Sequence, residues 1–281
     1  MTANPPVIVG VDGSPAAFGA VRWAADEALL MGRPLLIVHA VELHGPYGRI
    51  VDEHGIAVDA ATEIRHWQPG LDVTTATWHG EPARVLVEHS RHASLVVVGS
   101  RGSGGFRSLL VGSVGVHLAG YAHCPVLVVH HAERWAGPES LLPRHRPIVV
   151  GADGSSAGEH ALGLAFAEAA ARSVPLTAVR TWHEPEHRRG RSTTSADIGE
   201  ITARELEADL EPWRAEYPDV PVRAHVAHGP SVPVLLDEAR DALMIVLGSR
   251  GRGGFQSLAP GSVAQQVLEH SAAPVLVARQ G

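Results

Sequence analysis

The sequence predicts an α/β protein of two tandem domains, each a five-stranded parallel sheet of order 3-2-1-4-5 with helices on both faces. Three observations lead there. Short Val- and Ile-rich runs alternate with segments whose apolar residues recur at helical spacing. The pattern restarts after residue 146, where IVVGADGS at 148–155 repeats IVGVDGS at 8–14 in kind. A sixteen-residue stretch also occurs twice, as GSRGSGGFRSLLVGSV at 99–114 and GSRGRGGFQSLAPGSV at 248–263, identical at twelve positions. A period this long marks duplicated domains, because solenoid repeats reach roughly fifty residues at most.

In the first half, Val7 to Val11 reads as a buried strand, and Asp12-Gly13-Ser14-Pro15 as a turn into a helix that Ser14 caps and Pro15 opens. Ala17, Val21, Ala24, Ala25, Ala28 and Leu29 keep the helical period up to Gly32. Strands follow at Leu35 to Val41, Asp72 to Trp78, Leu95 to Gly99 and Val126 to His130, with helices at about 57–67, 82–92 and 113–122 between them. In the second half the strands are Ile148 to Val150, Leu176 to Trp182, Val222 to His228, Leu243 to Gly248 and Val275 to Ala278. Its helices are expected at about 157–172, 198–217, 232–240 and 262–271. Residues 132–146 carry two prolines and mixed polarity and read as a linker, which sets the domains at 1–131 and 147–281.

Each repeated stretch sits between a strand and a helix start, a setting suited to holding an anion. Glycines let the backbone adopt positive φ and approach a ligand closely. The helix beginning near Ser113 or Ser262 adds unpaired N–H groups and the positive end of its dipole. A phosphate fits this environment, with hydroxyls from Ser113 and Ser262 and guanidinium groups from Arg101 and Arg250 as further donors. The plain alternative is a flexible surface connection, and the doubled glycine spacing argues against it. With strand order 3-2-1-4-5, strand one ends at Asp12 and strand four at Gly99, so both face the crevice at the topological switch point. Asp153 and Gly248 take the same places in the second half. An aspartate there can accept hydrogen bonds from ribose hydroxyls, help hold a metal on phosphates, or cap the following helix.

Composition narrows the chemistry. The formal charge is −7 with no block of like charges, which excludes nucleic acid as a main partner. All 23 cationic side chains are arginine, so neither a Walker A lysine nor a lysine Schiff base is available. The single cysteine, Cys124, reads as a small buried hydrophobe. No stretch reaches membrane-spanning length and the first residues lack a secretory pattern, so a cytoplasmic protein is expected.

Three rival motifs are weaker. His183-Glu184-Pro185-Glu186-His187 matches the zinc-protease string, but a proline inside it disfavours the helix that chemistry needs. Gly154-Ser155-Ser156-Ala157-Gly158 matches a nucleophile elbow, but Pro15 stands where Ser156 does in the first half. The dinucleotide fingerprint fails at Arg107 and Gln256.

The chain resembles the universal stress protein family in its tandem form, over nearly all of both halves. The nucleotide-binding pattern of that family is Gly, two residues, Gly, nine residues, Gly-Ser. Here it reads Gly99, Gly102, Gly112-Ser113 and again Gly248, Gly251, Gly261-Ser262. The resemblance implies ATP, with Mg²⁺, at one site per domain. It puts Asp12 and Asp153 near the nucleoside and the main chain of Ala40-Val41 and Thr181-Trp182 against the adenine. Gly10 and Gly151 in the preceding strands count with the sites. So do the loop residues Ser100, Arg101, Ser103, Gly104, Gly105 and Val114 in the first half, and Ser249, Arg250, Arg252, Gly253, Gly254 and Val263 in the second. Trp182 is unlike Val41, so the second site is expected to differ from the first. The resemblance further implies an internal pseudo-dimer, for which the apolar end strands of each half are the expected docking edges; no residue points to a homodimer. The alternatives are an interaction scaffold with degenerate sites and a slow ATP hydrolase, and no catalytic residue or resident metal ligand is assigned.

Overall fold

The structure is a computed structural model and describes residues 4–41, 54–102, 112–132, 145–184, 195–251 and 261–279. It divides into two compact units, whose main bodies are Met1–Leu142 and Pro143–Ser257 with Gly261–Ala278.

In the first unit the strands are β1 (Val7–Val11), β2 (Leu35–Val41), β3 (Val73–His79), β4 (Leu95–Gly99) and β5 (Val126–Val129). All neighbours pair in parallel, in the order β3-β2-β1-β4-β5. The helices are α1 (Pro15–Leu30), α2 (His54–Trp67), α3 (Pro82–His89) and α4 (Ser113–Tyr121). The second unit repeats this with β6 (Ile148–Gly151), β7 (Leu176–Trp182), β8 (Val222–His228), β9 (Met244–Gly248) and β10 (Val275–Ala278), ordered β8-β7-β6-β9-β10. Its helices are α5 (Ser156–Arg172), α6 (Ser195–Glu216), α7 (Ser231–Glu238) and α8 (Ser262–His270).

The central strands are continuous apolar runs because helices cover both faces of each sheet. Every residue of β5 and of β10 is buried, whereas the edge strands β3 and β8 are mostly open and carry Thr, His and Arg. Each fully buried Val or Ile is worth about 1.5–3 kcal/mol over an exposed one, so these runs fix which strands lie inside. On one face α1 packs beside α2 and α5 beside α6; on the other, α3 lies beside α4 and α7 beside α8. The Arg22 guanidinium stacks 4.7 Å from the Trp67 ring and ties α1 to α2. In the second unit Phe166 and Trp213, 6.1 Å apart, do the same for α5 and α6.

Helix starts follow the expected chemistry. Ser14 Oγ accepts from the Ala17 N–H at 3.2 Å, with Pro15 in the first turn. Ser155 Oγ accepts from the Gly158 N–H at 3.1 Å, and Glu81 caps α3 through both Ala83 and Arg84. Boundaries move by up to three residues from the sequence expectation. Instead of running on to His92, α3 gives way to a tighter 3-10 turn at Ser90–His92. The cause is buried Ser90, whose hydroxyl donates to Val87 O at 2.6 Å and accepts from His123 N at 2.8 Å.

The two units superimpose by register. Val7 pairs with Leu35 and Leu35 with Val73; Ile148 pairs with Leu176 and Leu176 with Val222. His39 is thereby equivalent to Arg180, Ala40 to Thr181 and Val41 to Trp182. Counting back from β3 and β8, the turns after α2 and α6 carry matching hydrogen bonds, Gln68 N to Ile64 O and Tyr217 N to Trp213 O. This sets Ile56 opposite Glu205.

Candidate functional site

Because β1 lies between β2 and β4, the residues that leave β1 and β4 share the crevice at the switch point, and likewise for β6 and β9. Asp12 follows β1 and Asp153 follows β6. One oxygen of each organises its own turn. Asp12 Oδ1 accepts from the Ser14 N–H at 3.0 Å; Asp153 Oδ1 accepts from Ser155 N at 3.0 Å and Ser155 Oγ at 2.6 Å. The other oxygen faces the glycine loop. A Cβ built on Gly102 would lie 2.5 Å from Asp12 Oδ2, and one on Gly251 would lie 2.8 Å from Asp153 Oδ2. Holding the serine that caps the helix and facing the loop therefore fall to the same carboxylate, while the caps themselves are Ser14 and Ser155.

Among the described residues, the positive φ expected of the glycine loops is found at other glycines. Gly102 and Gly251 do not occupy the left-handed region; Gly13 and Gly154 do, at +79° and +71°, immediately after the two aspartates. At 102 and 251 the requirement is space. The same holds at Gly99 and Gly248, where a Cβ would meet the carbonyl oxygens of Ala16 at 3.1 Å and Ala157 at 2.7 Å. Gly10 and Gly151 are explained by packing, since an added Cβ would press on Leu86 at 2.9 Å and Leu247 at 2.7 Å.

Each loop is held shut at its base. Ser100 N–H donates to Val129 O at 2.9 Å, and Gly112 N–H returns to Ser100 O at 2.7 Å. In the second unit Ser249 N–H donates to Ala278 O at 3.1 Å and Gly261 N–H to Ser249 O at 2.9 Å. The helices that follow, α4 from Ser113 and α8 from Ser262, have glycine N-caps with no side-chain cap, which leaves their first-turn N–H groups for another acceptor. Ser103, Gly104, Gly105, Arg252, Gly253 and Gly254 lie outside the described residues.

In the second unit these parts surround a cavity of about 460 Å³, within the range of nucleotide and cofactor sites. The predicted Gly248, Arg250, Gly251, Gly261, Ser262 and Val263 form its wall on the β9–α8 side. Gly151, Asp153, Thr181 and Trp182 face them from β6 and β7. Ser249 serves the base of the loop instead. Trp182 is fixed by α6, where a Cβ on Gly199 would sit 3.3 Å from the indole, and by His228 at 4.5 Å between ring centres. Sequence reasoning missed Arg180, Thr202, Glu205 and Ser231, which also line the cavity. Arg180 was the legible one: the one charged residue in a buried strand. Thr202 and Glu205 come from α6, and nothing in their spacing announces a site.

The rival motifs find no support among the described residues. Ser156 is the exposed first residue of α5, and Ser155 is its cap. Glu184 is hydrogen-bonded by Ser195 Oγ; Pro185, Glu186 and His187 lie outside the described residues. Burial pushes the Cys124 thiol up to about 12, so it stays protonated and unreactive at neutral pH. Among the described residues no group of three or more His, Cys, Asp or Glu could hold a metal ion, and no helix is long and apolar enough to cross a membrane.

Comparison with known proteins agrees with this architecture. The profile described as the Universal stress protein family matches residues 4–130 and again residues 144–279. The chain belongs to the universal stress protein family. This universal stress protein is 36% identical over 292 residues to a universal stress protein of Mycobacterium tuberculosis, covering 98% of this chain and 96% of that one. It is likewise 36% identical over 301 residues to one from Mycolicibacterium smegmatis, covering 97% and 96%. Among solved structures, a functionally unknown Pseudomonas aeruginosa protein aligns at TM-score 0.69 and 18% identity, over 99% of this chain and 94% of that one. A universal stress protein from Archaeoglobus fulgidus aligns at 0.66 and 18%, over 99% of both. At such identity these two speak to the fold alone.

Proposed function

We propose that this universal stress protein binds ATP at one site per domain and works as a nucleotide-responsive regulator. The observation that carries the reading is the contact of each loop glycine with the aspartate across the switch point, next to a helix whose first turn lacks a side-chain cap. The residues fit the ligand's chemistry. The phosphates take the N–H groups of α4 or α8, with Ser113 or Ser262 and Arg101 or Arg250 as further donors. The nucleoside lies over β6 and β7 in the second unit and over β1 and β2 in the first. Mg²⁺ would neutralise phosphate charge, with Asp12 or Asp153 the carboxylate beside the loop; a metal of this kind is commonly held by one or two carboxylates plus substrate phosphates.

The test has two arms. Denaturing the purified protein and identifying released small molecules by mass spectrometry should yield an adenine nucleotide. Calorimetry on nucleotide-stripped protein should saturate near two Mg·ATP per chain. Saturation at one, with only one of Gly102→Val and Gly251→Val weakening that binding, would reduce the reading to a single site. No binding at either site would remove it.

A further inference from the structure

The cavity of the second unit has a polar wall of Arg180, Thr181, Glu205 and Ser231, where the matching residues of the first unit are His39, Ala40, Ile56 and Pro82. Arg180 is buried, 4% exposed, although it lines the cavity. Its Nε donates to Ala152 O at 2.6 Å, the carbonyl immediately before Asp153. Its Nη2 pairs with Asp209 on α6 at 2.5 Å. Its Nη1 is buried with no hydrogen-bond partner among the described residues. A guanidinium cannot shed its charge, and a buried donor without an acceptor is costly, so Nη1 gains where a turn of the side chain brings it to an acceptor held in the cavity that Arg180 lines.

The first unit shows what Arg180 adds. His39 occupies the equivalent position, and its Nδ1 lies 2.7 Å from Val11 O, the carbonyl before Asp12. Both side chains pin the residue ahead of the aspartate; only arginine has donors left over. The change extends to α6, where Glu205 lines the cavity at the position that apolar Ile56 takes beside Gly13. It extends to Thr181, whose hydroxyl is 2.6 Å from that of Ser231, where the first unit has Ala40 and Pro82.

Resting on the nucleotide reading above, we propose that Arg180 is a specificity-determining residue of the second site, donating through Nη1 to an acceptor atom on the nucleoside. The assignment to the nucleoside follows from position. Arg180 is on β7, on the far side of β6 from the phosphate-facing loop after β9. The acceptors within its chemistry are the purine ring nitrogens and the ribose oxygens. The second site therefore holds its nucleotide more tightly than the first and depends on an acceptor the first ignores.

Arg180→His tests this because histidine already makes the carbonyl contact at the equivalent place, so the variant keeps the support of Asp153 and removes the extra donor. Calorimetry is done with Mg·ATP on the full chain carrying Gly102→Val, which leaves the second site to be read. Arg180→His should raise its Kd about tenfold or more, the size of a lost charge-assisted hydrogen bond. In a parallel arm that needs no change at Arg180, 1-deaza-, 3-deaza-, 7-deaza-, 2′-deoxy- and 3′-deoxy-ATP each delete one acceptor. One of them should lose a similar factor, and the Arg180→His protein should no longer distinguish it from ATP. Circular dichroism and melting confirm folding. Equal affinity of the two proteins for ATP, as when a buried water satisfies Nη1, would overturn the role of Arg180 while leaving the nucleotide reading intact. Loss with Arg180→His but no coupling to any analogue would also overturn it, by showing an effect on the scaffold alone. Absence of ATP binding with Arg180 present would overturn the nucleotide reading itself, and Arg180's role with it.

Discussion

A methyl group on Gly102 would stand 2.5 Å from Asp12 Oδ2, closer than side-chain carbon approaches carboxylate oxygen in folded proteins. The loop after β4 and the turn after β1 are thus fitted to each other before any ligand arrives. Gly251 and Asp153 repeat the fit at 2.8 Å.

Substitution at these glycines should therefore act through the aspartate. Gly102→Ala should weaken ATP binding at the first site about tenfold or more, and Gly102→Val further, because either must displace Asp12 or the loop. Gly251→Val should spare the first site and weaken the second. The diagnostic combination is Gly102→Ala with Asp12→Gly. It removes the crowding, so if the glycine serves only to make room, adding Gly102→Ala to an Asp12→Gly protein should cost nothing more. Calorimetry with folding checked by circular dichroism reads the result; equal ATP affinity in Gly102→Val and wild type would show that the loop does not hold the phosphates.

Turnover should be slow. Among the described lining residues of the second cavity there is no histidine, cysteine or lysine, and Asp153 Oδ1 is committed to the turn at Ser155. Phosphoryl transfer depends on aligning an attacking group as well as on binding charge. We expect hydrolysis far below about one per second, the lower end of ordinary kinase turnover. Phosphate release at or above that rate, persisting through repurification and lost in Asp153→Ala, would make the protein an enzyme.

A second glycine gives a pure stability test. Gly19 in α1 passes so close to Ala132 that a Cβ would lie 1.7 Å from its carbonyl oxygen. Backbone cannot yield as a side-chain tip can, so Gly19→Ala should cost about 3 kcal/mol despite alanine's better helix propensity. Denaturant unfolding would show it as a lower midpoint; an unchanged or raised midpoint would mean α1 is not seated as described.

Cys124 makes stability depend on pH at the alkaline end. Burial raises the folded thiol from its ordinary 9.0 to about 12, so its contribution is fully present below pH 9 and lost as pH climbs toward 12. At about 1.4 kcal/mol per unit, roughly 1.4 kcal/mol is gone by pH 10. Cys124→Ala should remove that part of the slope between pH 8 and 10 in denaturant melts. The native thiol should also resist alkylation until the chain unfolds. Rapid labelling of the native protein at pH 8 would contradict both.

The fold was legible because buried parallel strands cannot hide: runs such as Leu95 to Val98 and Met244 to Leu247 are apolar on both faces and punctuated by glycine. The glycine-loop wall of the second cavity was legible for a related reason, as it comes from one continuous segment whose glycines recur at fixed spacing. The opposite wall is assembled from β7, α6 and α7, and side chains separated by tens of residues leave no local signature. Arg180 and Glu205 meet the cavity only once the sheet order is known. At Gly102 the need for glycine is not the expected positive φ, and the reason is physical too. Gly102 and Gly13 are both glycine, but one is needed for the volume it leaves empty and the other for the direction its backbone turns, and sequence alone does not separate those needs.

The clasp between Ser249 O and Gly261 N, with its twin between Ser100 O and Gly112 N, makes each phosphate loop a replaceable cassette. The chain enters and leaves the loop at two points already joined by a hydrogen bond, so the folded sheet and helix bear the entropy of closing it. Lengthening such a closed loop costs slowly, about 0.6 kcal/mol per doubling. Residues 101–111 and 250–260 should accordingly be exchangeable between the domains, or open to insertions, without moving the helices that follow. Whatever each loop contacts can change over evolutionary time while the site beneath it keeps its shape.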